Sequence, residues 1–301
     1  MDINDISFPN LNIYLHDVPK EFTVFGFTIA LYGVVIAIGM MCGVAIAVHD
    51  RRSRGLPEDP VWDASLIGIP CGIIGARIYY VIFAWDFYKN NPIEVFNIRH
   101  GGLAIYGGIL GALLSVFIYC RVKKVGFLEL WDSIALGFLI GQAIGRWGNF
   151  FNREVFGGYT DNVLAMRLPI DAVRERDIVP ALAATIGEGE NFIQVHPTFL
   201  YESMWNLALL IILYLYRKHK KFSGEILLLY IAGYGIGRFW IESIRTDQLY
   251  VTGTHIPVSI VVALIMIVLS LGTVLFMRIK VTGKAAVQNR GGSEQLHKKS
   301  E

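Results

Sequence analysis

The sequence predicts an all-α polytopic membrane protein: seven transmembrane helices, N-terminus outside, C-terminus cytoplasmic, and a small extracytoplasmic head. Three observations predict it. Seven mostly apolar runs approach the roughly 20 residues a membrane helix needs. Four strongly basic segments alternate with them so that all four fall on one side. The 301-residue chain is 54% hydrophobic and only 17% charged, whereas soluble domains are about 25% charged. The net charge of +2 is too small to imply a nucleic-acid partner.

In order, the runs are Val24–Val48, Val61–Phe83, Gly101–Cys120, Leu128–Phe150, Phe199–Tyr216, Glu225–Ile244 and Ile256–Met277. The basic segments carry Arg51, Arg52 and Arg54 after the first run, and Arg121, Lys123 and Lys124 after the third. Arg217, Lys218, Lys220 and Lys221 follow the fifth, and Arg278, Lys280 and Lys284 the last. Short basic loops stay in the cytoplasm, so their agreement sets both the count and the orientation. The long connection 151–198 is mixed in character and reads as the head inserted into a catalytic domain 1–280. Residues 281–301 read as a disordered cytoplasmic tail.

The N-terminus is acidic, so no cleavable signal peptide is expected. Cys42, Cys71 and Cys120 have no metal or redox spacing and read as packing residues. No metal or cofactor motif is present. Glycines recur four apart, as in Gly39/Gly43, Gly107/Gly111, Gly137/Gly141/Gly145 and Gly233/Gly237, a spacing that brings helix backbones together in lipid.

A charged side chain at bilayer depth costs roughly 2.5–3.5 kcal/mol on insertion scales, so each one is a candidate functional residue. The orientation places Arg146, Arg238, Glu242, Arg77, Glu202, Tyr106 and Tyr32 towards the outer leaflet. Tyr234, Arg238, Glu242 and Arg245 share one helical face, and Arg238–Glu242 reads either as an internal pair or as part of a site. Glu202 is placed to pair with Arg146 or Arg77. His196, in HPTFLYE, reads equally as a hydrogen-bonding group at a helix start and as a catalytic group. HGGLAIYGG, 100–108, brings backbone close to a ligand or packs tightly.

Four blocks then become recognisable: GRWGNFFNREVFGG at 145–158, HGGLAIYGG, HPTFLYES at 196–203 and YGIGRFWIESIRTD at 234–247. In this order they resemble the bacterial prolipoprotein diacylglyceryl transferases. That resemblance implies that phosphatidylglycerol gives up its diacylglyceryl group to the lipobox cysteine of a prolipoprotein signal peptide. A thioether forms and glycerol phosphate leaves, in the bacterial plasma membrane and with the active site towards the outer leaflet. No cofactor is implied.

By motif position, the resemblance gives catalytic roles to Arg238, Tyr106, Glu154 and Asn149. It gives substrate-binding roles to Arg146, Tyr32, Glu202, Glu242, Arg245, Gly157 and His100. Many members of the family it resembles carry histidine where this chain has Tyr106, and a free phenol with a pKa of about 10 is a poor base at neutral pH. The base is therefore open among Tyr106, His100 and no separate residue. The rival reading is a transporter or flippase for an anionic lipid or solute, which would place its polar site nearer the midplane.

Overall fold

The structure is a computed structural model that describes residues 1–98, 101–254 and 256–297, with 284–297 as backbone only. His100 lies outside the described residues. In chain order the elements begin with strands β1 (Ile6–Phe8), β2 (Ile13–Leu15), β3 (Glu21–Val24) and β4 (Phe27–Ala30). Helices α1 (Leu31–Ser53), α2 (Asp59–Phe83), α3 (Trp85–Tyr88), α4 (Ile105–Lys123) and α5 (Phe127–Asn152) follow. Then come β5 (Met166–Pro169), α6 (Pro180–Ala183), β6 (Phe192–Val195), α7 (Thr198–Tyr216), α8 (Glu225–Glu242) and α9 (Val258–His297).

Among the described residues, six helices are long and apolar enough to cross a membrane: α1, α2, α4, α5, α7 and α9. The region expected to supply a seventh span is helical as α8. Its eighteen residues hold Glu225, Arg238 and Glu242, which keeps it out of that set. The chain is a multi-pass membrane protein by these helices, but not an all-α one.

One departure from the expected elements has a plain cause. The first apolar run was expected from Val24, yet residues 21–30 form a hairpin in which Glu21 pairs with Ala30 and Val24 with Phe27. Its turn, Phe25–Gly26, has φ of 50° and 79°, and two consecutive positive φ values suit the twist of a tight hairpin. Aromatic and β-branched residues favour strand there, so α1 begins only at Leu31. At the other end, the helical backbone of α9 extends to His297.

The chain divides into two compact units, residues 1–43 with 135–301 and residues 44–134. In the first, the head is a four-stranded sheet in the order β2-β1-β5-β6. Both β5 and β6 come from the 151–198 insertion, while β1 and β2 come from the N-terminus. Ser7 pairs with Arg167, and Met166 to Pro169 run against Val195 to Phe192. Ile6, Leu168, Ile193 and Val195 fill the core beneath it, with Phe150, Phe156 and Phe199 closing it from the ends of α5 and α7. The small-residue spacing acts here: a Cβ on Gly43 would stand 2.8 Å from the Gly137 carbonyl oxygen, so α1 and α5 touch backbone to backbone.

The second unit packs α2 on α4 in the same way, with a Cβ on Gly75 falling 2.5 Å from the Gly107 carbonyl oxygen. Arg77 organises the loop between these helices. Its Nε donates to Val95 O at 2.7 Å. Nη1 donates to Gly101 O at 2.8 Å and Gly102 O at 2.9 Å, and Nη2 to Glu94 O at 2.5 Å and Asn97 O at 3.1 Å. A guanidinium has five N–H donors, and here each meets a backbone carbonyl. Two of the basic residues after the first apolar run are also engaged: Arg54 bonds Asp50 and Ser133 Oγ, each at 2.8 Å, and Arg51 Nε donates to Pro57 O at 2.5 Å.

Candidate active site: an arginine–carboxylate cluster

The first unit brings Arg146 of α5, Glu202 of α7, Arg238 and Glu242 of α8, and Arg245 just beyond α8 into one cluster. Arg146 Nη2 meets Glu202 Oε2 at 2.6 Å. Arg238 Nη2 meets Glu242 Oε2 at 2.7 Å, and its Nη1 stands 3.8 Å from Glu202 Oε1. Arg245 Nη1 lies 3.9 Å from Glu202 Oε1 and its Nε 4.0 Å from Glu242 Oε2. Of the two partners the sequence leaves open for Glu202, Arg146 is the one it takes. The Arg238–Glu242 pair is internal to α8 and also joins the cluster.

The helices meet in this rotation for steric reasons. A Cβ on Gly237 would run into the Trp205 indole, and one on Gly233 into Leu209, so bare backbone on α8 lets α7 approach. Trp205 Nε1 also donates to Gly233 O at 2.9 Å. Ser203 Oγ donates to Ala143 O at 2.9 Å and fixes α7 on α5.

The carboxylates are the buried half of the cluster. Glu202 and Glu242 side chains are 5% and 4% exposed, whereas those of Arg146 and Arg238 are 22% and 20% exposed. Buried carboxylates therefore hold the guanidiniums from behind and leave part of each arginine open. An arrangement of this kind offers two fixed cations to an anion that arrives from outside the protein.

From Arg146 a second chain of contacts leads to the head. Arg146 Nη1 donates to Asn149 Oδ1 at 3.5 Å. Asn149 Nδ2 and Asn152 Nδ2 each donate to Glu154 Oε1 at 3.2 Å. Glu154 Oε2 takes Arg174 at 2.7 Å, so the arginine it orients directly belongs to the head. Buried Arg153 donates to Asn4 O at 2.8 Å and Val18 O at 2.6 Å, tying the N-terminal segment to the end of α5. Arg153 and Val155 have φ of 54° and 60°. A β-branched residue there is strained, and Thr198 Oγ1 holds it by donating to Val155 O.

Gly157 sits at a backbone junction. Its N–H donates to His196 O at 3.0 Å, Gly158 N–H to Ile244 O at 2.9 Å, and His196 N–H to Gly158 O at 3.0 Å. A Cβ on Gly157 would stand 2.7 Å from Ile244 O and 2.8 Å from the His196 Cβ. The glycine pair thus positions Arg245, the residue opposite Gly157. The His196 ring reaches the Tyr201 hydroxyl at 3.2 Å, and burial holds its pKa below the ordinary histidine value. Tyr32 lies across the ring-facing side of Gly148, where a Cβ would stand 2.7 Å from it. Tyr106 belongs to the other unit, in the first turn of α4, and is largely exposed.

Sequence reasoning passed over Asp247. It takes Arg245 Nε at 2.8 Å and Nη2 at 2.7 Å, a bidentate pair. Burial raises its pKa, but the Arg245 guanidinium outweighs burial and holds the carboxyl below its ordinary range. The signal was present as IRTD, an acid two residues past a signature arginine.

Residues 19–276 match the family described as prolipoprotein diacylglyceryl transferase. The chain belongs to that family. A phosphatidylglycerol–prolipoprotein diacylglyceryl transferase of Clostridioides difficile is 44% identical over 228 residues, covering 76% of this chain and 83% of the relative. The Clostridium kluyveri protein of the same name is 42% identical over 267 residues, 88% of this chain and 98% of its own length. That of Listeria welshimeri is 40% identical over 263 residues, 87% and 90%. The family match spans α1 to α9 up to residue 276, and so takes in every residue of the arginine–carboxylate cluster.

Proposed function

We propose that this chain moves the diacylglyceryl group of phosphatidylglycerol onto the lipobox cysteine of a prolipoprotein signal peptide, the first step of lipoprotein maturation. The cysteine sulfur attacks the glyceryl methylene next to the phosphodiester. A C–S bond forms, the C–O bond to phosphate breaks, and the bonding pair leaves on the glycerol phosphate. The thiol proton passes to a base, for which Tyr106, His100 and the leaving phosphate itself are the candidates.

One observation carries this reading: two partly open arginines, Arg146 and Arg238, are held by a buried carboxylate, Glu202, that contacts both. Charge on the phosphate grows as the C–O bond breaks. Preorganised donors aimed at it stabilise that transition state more than the ground state. Asn149 and Glu154 steady Arg146, Glu242 steadies Arg238, Arg245 adds a third cation, and Tyr32 belongs to the same unit. Gly157 keeps the junction behind Arg245 closed.

The site faces the outer leaflet of the bacterial plasma membrane, with the N-terminus outside and α8 as a seventh, charged span. The four basic segments support that orientation. There the lipid headgroup meets a cysteine that has just crossed. The experiment incubates purified protein with phosphatidylglycerol vesicles and a lipobox peptide. Mass spectrometry is expected to show a diacylglyceryl adduct on the cysteine; folded protein that yields no adduct would sink the reading.

A further inference from the structure

Two buried oxygens on α7 belong to residues that line one small pocket and lack a protein donor among the described residues. Glu202 and Asn206 lie four residues apart, on the same helical face. With Trp205, Tyr234, Gly237, Arg238 and Ile241 they line a partly open pocket with about 10 Å³ of room for water. The two residues are 4% and 3% exposed. Neither Glu202 Oε1 nor Asn206 Oδ1 has a hydrogen-bond partner among the described residues. Arg238 Nη1 stands 3.8 Å from Glu202 Oε1, too far for a direct hydrogen bond.

We propose that this cavity is a binding site for one water molecule. That water accepts from Arg238 and donates to Glu202 Oε1 and Asn206 Oδ1. Asn206 is thereby a positioning residue for Arg238, a role that rests on Arg238 acting in transfer as described above.

Size and chemistry both select water. The volume matches a single water, and buried waters typically make about three hydrogen bonds to otherwise unsatisfied polar groups. A polar gap beyond 3.5 Å is the ordinary place for a bridging water. A metal cation would face the Arg238 guanidinium. The Trp205 N–H is committed to Gly233 O, so the indole serves as a wall and leaves the two oxygens to the water.

The consequence concerns Arg238. Its Nη2 is fixed by Glu242 within its own helix. The water fixes Nη1 to α7, so the guanidinium plane is set from two helices. Loss of the water leaves the charge in place but frees the plane. That lowers kcat and leaves the binding of phosphatidylglycerol nearly unchanged.

The experiment compares Asn206→Ala with Asn206→Leu in purified full-length protein, using phosphatidylglycerol vesicles and a lipobox peptide. Alanine enlarges the cavity and still admits water; leucine fills it with methyl groups. The expected order of kcat is wild type, then Ala, then Leu, with Leu reduced about tenfold and its KM for phosphatidylglycerol within about twofold of wild type. A packing role for Asn206 gives the reverse order, because alanine leaves a void where leucine does not, and that reverse order overturns the proposal.

A map of the wild-type protein at about 2 Å or better gives a second measure that needs no variant to fold. Density within about 3.2 Å of all three atoms is expected, and none there overturns the proposal. Wild-type protein without transfer activity, or an active Arg238→Ala variant, would refute the assigned function or the role of Arg238, whereas the map reads the water independently.

Discussion

Glu202 meets Arg146 at 2.6 Å and stands 3.8 Å from Arg238, so one buried carboxylate on α7 gathers cations from α5 and α8. Burying such a group alone would be prohibitive, and pairing it mainly offsets its own desolvation. What the arrangement gains is geometry: two guanidiniums from different helices, each held by carboxylate and each partly open.

In the proposed mechanism, replacing either cation removes a donor to the developing phosphate charge. Arg146→Ala and Arg238→Ala are each expected to lower transfer by at least about 10²–10³-fold, with the protein still inserted in membranes. Lysine at either position recovers little, since a point charge cannot reproduce the guanidinium fork. Adduct formation measured by mass spectrometry, against protein level in isolated membranes, checks this. Near-normal activity in either alanine variant would remove that residue from the proposed role.

Tyr106 is expected to matter less than the arginines. It is exposed in the first turn of α4, and a phenol is a weak base at neutral pH. Tyr106→Phe should reduce kcat less than about tenfold, the range of one lost neutral hydrogen bond. Steady-state kinetics decide it: complete loss would make the hydroxyl essential to thiol activation.

Arg77 illustrates a charge whose expense is met by structure alone. Its five donors all go to carbonyls of 94–102, and a Cβ on Gly102 would collide with it. Arg77→Lys supplies three donors where five carbonyls wait. The loop should be destabilised by about 2 kcal/mol, roughly 1 kcal/mol for each of two stranded carbonyls. Limited proteolysis within 89–104 is expected to rise in this variant and not in Arg146→Ala. Equal protection in both would contradict the bracing role.

These cases show what was legible in the chain and what was not. Arg146, Arg238 and Glu202 stood out because charge within apolar helices is costly wherever it lies. Their pairing was not legible, because it depends on helix rotation set by contacts such as Gly237 on Trp205. Arg77 drew the same attention for the same reason, and only the loop that wraps it shows its task. The hairpin 21–30 alternates, with Phe22, Val24, Phe27 and Ile29 on one face and Glu21, Thr23 and Thr28 on the other, but its apolar residues run straight into α1 and merge with that helix in a hydropathy window. The head sheet joins Ser7 to Arg167, and no local pattern announces a partner that distant. Gly157 read as a substrate contact because it lies in the signature; the backbone junction that needs it forms only when His196 and Ile244 meet there.

That junction carries a pH dependence. Burial holds the His196 pKa below its ordinary value of 6.5, and the ring engages the Tyr201 hydroxyl. As pH falls through 6.5 the unfolded chain takes up a proton before the folded one does, so stability declines with falling pH until the folded-state pKa is passed. Nothing is lost above pH 6.5, where both states are neutral. Melting temperatures at pH 7.5 and 5.5 should therefore separate more in wild type than in His196→Gln, which cannot titrate. Equal separations would mean that the imidazole stays as free to charge in the fold as in the open chain.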